Sequence, residues 1–159
     1  MKMDAIRELL QKVLDWEDAH VGLDAAVDGI PATLRGVVPD GLPYSAWQLV
    51  EHVRLAQRDI LEFCRNANYR EKKWPDDYWP KAKGPKNAAA WSRSLHALRR
   101  DRQALQQLAA DRTIDLFAKI PHGSGQTYLR ELLLVADHGA YHIGQIVAVR
   151  RCLGIWRSS

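Results

Sequence analysis

The chain has 159 residues, 47% of them apolar, and a formal net charge of +4. This length suits one domain over residues 1–159 with a sizeable core, and no apolar run reaches the ~18 residues that a membrane-spanning helix needs. The basic balance permits an anionic ligand or weak nucleic-acid contact, but no basic tail or nucleic-acid-binding module accompanies it, so nucleic acid is not an expected partner.

From Met3 to about Trp16, apolar residues fall at Ile6, Leu9, Leu10, Val13 and Leu14. That three-and-four spacing gives one buried helix face. A short helical piece follows at Leu23–Val27 and stops before Gly29-Ile30-Pro31; Ala32–Leu34 fits a single turn, and Gly36, Pro39, Gly41 and Pro43 mark a loop. Ser45-Ala46-Trp47-Gln48 has the form of a capping box, in which the serine hydroxyl accepts from a first-turn N–H and the glutamine reaches back. The helix it opens is expected to run to about Arg65, with Leu49, Val53, Ile60 and Cys64 on its apolar stripe and His52 beside that stripe.

Residues 66–87 form a long connection containing Trp74-Pro75-Asp76-Asp77-Tyr78-Trp79-Pro80. Its aromatics are expected to pack over one end of the molecule, either as a plain cover for apolar surface or as a lid on a pocket. Asn87 can cap the next helix, Ala88 to about Ala110, with Trp91, Leu95, Leu98, Leu105 and Leu108 buried. The run Arg99-Arg100-Asp101-Arg102 on that helix reads as a solvated face. Residues 111–121 form a connection into which Ile114, Leu116, Phe117 and Ile120 tuck, with a brief extended piece at Ile114/Leu116, and residues 122–125 form a turn. Thr127 caps the last helix, which runs to about Leu153 and is stopped by Gly154. Charged residues and histidines interrupt this most apolar segment, as befits a core helix. Four long amphipathic helices bury their stripes most simply as an all-α four-helix bundle with extra short helices. Cys64 and Cys152, far apart in a chain without a signal peptide, read as reduced thiols of a cytoplasmic protein.

Of six histidines, His20 reads as a hydrogen-bonded core residue, His96 as a solvated one and His122 as part of a turn. His138 and His142 differ, because four-residue spacing places both on one face of an apolar helix. Buried imidazoles need a hydrogen bond or a metal, and the spacing by itself leaves both open. His52 offers a third imidazole from another helix, and three histidines with a free fourth position form a common catalytic metal arrangement. Residue 139 is Gly, so the H-E-x-x-H motif of zinc proteases is absent.

Trp47-Gln48-Leu49-Val50-Glu51-His52, Asp137-His138-Gly139-Ala140-Tyr141-His142-Ile143-Gly144-Gln145-Ile146 and Arg150-Arg151-Cys152-Leu153-Gly154, with the 74–80 loop, resemble the DinB superfamily over essentially the whole chain. The resemblance implies a bundle of unusual connectivity, often dimeric, holding a divalent metal (zinc, nickel or iron) on His52, His138 and His142. It further implies a metal-dependent hydrolase, or a transferase using a low-molecular-weight thiol, acting on a small molecule. A non-catalytic, stress-linked module that binds metal or a small ligand is the alternative. No catalytic residue is assigned: Asp59, Asp137 and Tyr141 are the nearest acid–base candidates, with Asp137 read as a surface or dimer-edge charge.

Overall fold

The computed structural model describes residues 2–156. Among them are five helices and no strand: α1 (Lys2–Val13), α2 (Leu23–Val27), α3 (Ala46–Arg65), α4 (Ala88–Ala110) and α5 (Tyr128–Cys152). The long helices close into a ring in which α3 packs on α4 and α5, α4 on α1, and α1 on α5, with α2 laid against α5. This is the all-helical bundle expected. Ser45 makes both halves of its capping box with Gln48, and Asn87 and Thr127 cap α4 and α5 through their side chains. Each side chain satisfies a first-turn N–H that has no partner within its helix.

The core has two halves. One gathers Trp47, Leu49, Val50, Val53, Trp91, Leu95, Leu98, Ile146 and Val149 around α2. The other joins Leu10 and Leu14 to Leu61, Leu105, Leu108, Leu116, Ile120 and Leu132. The 66–87 connection runs along the outside of α3 and meets the 31–44 loop where Gly36 and Gly84 touch through their backbones. A Cβ on Gly36 would lie 2.7 Å from the Gly84 Cα, so this crossing requires glycine.

Several sequence expectations are corrected. α1 stops at Val13 rather than Trp16, and Leu9 is 53% exposed. Its place on the buried face is taken by Arg7, whose guanidinium donates to the carbonyl of Ala109 in the last turn of α4 and to that of Ile114 beyond it. Phe117 is also exposed, while Leu116 and Ile120 are buried. The extended residue in this region is Lys119, in an isolated antiparallel bridge to Thr127, and not Ile114/Leu116. His20 is exposed, on a connection that crosses the surface, with Nδ1 against the Val21 carbonyl. The Arg99–Arg102 run is not a solvated face throughout. Asp101 is buried and ion-paired to Arg100 and to Arg58 of α3, and Arg102 is buried between Asp15 and Asp24. These charges tie α4 to its neighbours, each buried charge being paired with a counterion that reaches solvent.

Averaged over its best window, α5 reaches a mean hydropathy of 1.3, so by length and composition it is long and apolar enough to cross a membrane, although its apolar runs are short. Glu131, His142 and Arg150 on its buried face give it the pattern of a bundle core helix.

Candidate metal centre

His52 projects from the middle of α3, and His138 and His142 project from successive turns of α5. Because these helices pack together, the three imidazoles meet. His52 Nε2 lies 3.0 Å from His138 Nε2, and one potential ligand atom from each ring falls within 4.8 Å of the others. Two nitrogens at about 2.0–2.1 Å from one tetrahedral ion lie roughly 3.3 Å apart, so the spacing suits a shared cation. His52 is almost fully buried at 1% exposure, and His142 is buried as well. The structure therefore brings together all three residues that the sequence pattern singled out.

The outer ring nitrogens decide which atoms face inward. His52 Nδ1–H donates to the Tyr78 carbonyl at 2.9 Å, and His142 Nδ1–H donates to Gln145 Oε1 at 2.7 Å. Both rings are thereby held in the tautomer that leaves an Nε2 lone pair toward the centre, the usual second partner of a metal-binding histidine. Burial lowers the pKa of all three imidazoles, for His138 to about 4, where His142 and His52 add repulsion between like charges. At neutral pH they are uncharged, as ligands must be.

Aromatic rings enclose the His52 side. Trp79 lies flat on the His52 imidazole at 3.8 Å and 5°, and Tyr44 stacks on the other face of Trp79 at 4.2 Å. Neither Trp79 nor the Tyr78 carbonyl shows in the helical periodicity, because both come from the irregular 66–87 connection. Gln145 had a readable signal, since a residue three after His142 shares its helix face. On the His138 side a cleft of about 590 Å³ opens, lined in part by Asp59, Tyr69, Trp74, Tyr78 and Arg130.

Asp59 borders this cleft, buried, and accepts hydrogen bonds from Tyr69 and Tyr78. Both phenols have raised pKa values, mainly through burial and the adjacent carboxylate; that of Tyr69 reaches about 12. They remain protonated donors. Asp137 is exposed and lines a separate groove, away from the histidines. Tyr141 is 64% exposed, with its ring edge-on to His142. His122 sits in its turn against the Phe63 carbonyl, and His96 is exposed; neither joins the centre.

The family model of the DinB superfamily matches residues 15–146. The chain belongs to the DinB superfamily. No curated protein and no solved structure gives a match. The matched segment of this DinB protein spans α2 through most of α5 and so contains all three histidines.

Proposed function

We propose that His52, His138 and His142 hold a divalent cation (zinc, nickel or iron) and that the protein is a metal-dependent enzyme of DinB type. Its substrate is a small molecule bound in the cleft beside His138, and its reaction is hydrolysis or transfer to a low-molecular-weight thiol. The observation that carries this reading is the convergence of three neutral imidazoles from two helices within 4.8 Å. Three protein ligands leave a position free for water or substrate. A bound cation would lower the pKa of a water or thiol ligand toward neutrality and so supply a nucleophile.

The residues of the chain do the rest. Tyr78 and Gln145 keep two imidazoles in the ligating tautomer. The Trp79 ring shields the His52 side from water, so reactants approach from the His138 side. With His52 Nε2 bearing a lone pair, the 3.0 Å contact to His138 places the shared proton on His138 Nε2. Ligation through His138 Nε2 would require that proton to move to Nδ1 of the same ring, which would couple binding to a tautomer change in one residue.

A homodimer through the outer face of α5 belongs to the same proposal. The most apolar window of this helix is only 33% buried, and Leu133 and Tyr141 stand exposed on it. Light scattering on the purified protein measures the oligomer directly.

Elemental analysis of the purified protein, beside the His138→Ala/His142→Ala variant, tests the centre. The expected result is close to one metal per chain in the parent and none in the variant; equal metal content in both refutes the assignment. Screening ester and amide substrates, and thiol conjugation to electrophiles, then tests for turnover that the variant loses. A metal-loaded protein without such turnover would be a binding module.

A further inference from the structure

His52 is steadied by a loop whose stretch from Tyr69 to Tyr78 is tied to α3 by one carboxylate. Asp59 follows His52 by two helical turns on nearly the same face of α3. It is 7% exposed. Its Oδ2 accepts from Tyr69 Oη at 3.0 Å and from Tyr78 Oη at 2.6 Å, while Lys72 Nζ lies 3.6 Å from Oδ1. All three partners belong to the 66–87 connection, which has no helix or strand of its own.

Apolar contact attaches this segment at two points, Trp79, which packs on the core, and Tyr69, whose ring meets Phe63 edge-on. Trp74 is 64% exposed, and Tyr78 and Trp79 are only half-buried. The hydrogen bonds from Tyr69 and Tyr78 to the Asp59 carboxylate are the polar attachment between those two points, of the charge-assisted kind that is about twice as strong as a neutral bond. Tyr78 then serves twice: its hydroxyl is pinned by Asp59, and its carbonyl accepts from His52 Nδ1. The next residue, Trp79, supplies the ring stacked on the same imidazole. The path leaves α3 at Asp59, crosses the loop and returns to α3 at His52.

We propose that Asp59 is a positioning residue of the histidine centre: by fastening Tyr69 and Tyr78 it keeps the Tyr78 carbonyl on His52 Nδ1 and the His52 Nε2 lone pair aimed at His138 and His142. The part of this concerning metal affinity rests on the three histidines being ligands; the part concerning the His52 tautomer stands without it.

The test uses the full chain, ¹⁵N-labelled and stripped of metal, with long-range ¹H–¹⁵N spectra reading the His52 tautomer. In the parent, His52 is expected as the Nδ1–H form. In Asp59→Ala, and in Tyr69→Phe/Tyr78→Phe, which removes only the two hydroxyls, the spectrum should move to a mixture of tautomers. Proteolysis within residues 66–80 should quicken, and zinc affinity should fall about 10–100-fold, as for other outer-sphere partners of metal ligands. Asp59→Asn, which keeps an acceptor oxygen, should restore most of the parent tautomer signal. If Asp59→Ala does not fold, the tyrosine variant decides. Folded variants that retain the parent His52 spectrum overturn the proposal, whatever their zinc affinity. A parent that binds none of zinc, nickel and ferrous iron, combined with variants that lose the tautomer, supports the positioning role and refutes the metal reading.

Discussion

His138 provides the sharpest quantitative test of how the centre is built. Burial and its two imidazole neighbours lower its pKa from 6.5 to about 4. In the unfolded chain it takes up a proton below about pH 6.5, whereas in the folded, metal-free protein it does so only near pH 4. Between these values the unfolded state binds more protons, so stability falls as pH falls. The penalty is absent well above pH 6.5 and complete below about pH 4. From pH 7 to pH 5, a shift of this size costs at most about 1.8 kcal/mol. His138 is half-buried, and solvent screening brings the expectation to about 1 kcal/mol. In a chain of this length that corresponds to roughly 2–4 °C in Tm. The assay is thermal unfolding of chelator-treated protein at both pH values, beside His138→Gln, which removes the titrating group but keeps a polar side chain. The carboxylates with lowered pKa values, Asp4, Asp24, Glu51 and Asp111, stay ionised throughout this range, and His52 and His142, also lowered by burial, are present in parent and variant alike, so both sets cancel in the comparison. The parent should lose about 2–4 °C more than the variant on acidification. Identical losses would show that His138 is not held neutral by its surroundings, and the account of the centre's electrostatics would fail.

Zinc at about a hundredfold its dissociation constant should stabilise the parent by about 2.7 kcal/mol, or roughly 5–11 °C in Tm, and leave His138→Ala/His142→Ala unmoved; an equal shift in both would place the zinc elsewhere. The two thiols should react at very different rates with a maleimide. Cys152 is exposed and should be modified quickly, whereas Cys64 is buried with its pKa raised to about 12 and should react only on unfolding; mass spectrometry of the native protein distinguishes one adduct from two. Arg7→Ala should cost about 1–3 kcal/mol, because it strands the carbonyls of Ala109 and Ile114. Denaturant unfolding measures this, and a midpoint equal to that of the parent would mean that water replaces the guanidinium without loss.

The helices were readable because their signals are local. The capping box at Ser45–Gln48, the caps at Asn87 and Thr127, and the apolar spacing of α3 and α4 each lie within a few residues of what they determine. Where local and non-local terms compete, periodicity misleads. It placed Leu9 inside and gave Arg7 no role, since nothing near Arg7 in sequence reveals two unpaired carbonyls more than a hundred residues away. Asp101 and Arg102 were misread for the same reason: their counterions Arg58, Asp15 and Asp24 lie on other elements.

For the histidine centre the division is equally physical. Helical spacing alone sets His138 and His142 on one face, His52 beside the apolar stripe of another helix offers a third imidazole, and the family resemblance joins the three as one ligand set. The sequence by itself thus determined the helices, their caps and the pair on α5, because spacing and capping are properties of a single element, and it offered His52 as the third candidate ligand. Only the packing of α5 on α3 decided that the third imidazole comes within 3.0 Å of His138 and within 4.8 Å of both, counted between potential ligand atoms. Only the return of the 66–87 connection onto α3 decided the environment of that imidazole: a carbonyl on one nitrogen, an indole on its face, and both held in place through Asp59. An irregular segment carries no periodicity, so its contacts are fixed by the tertiary fold.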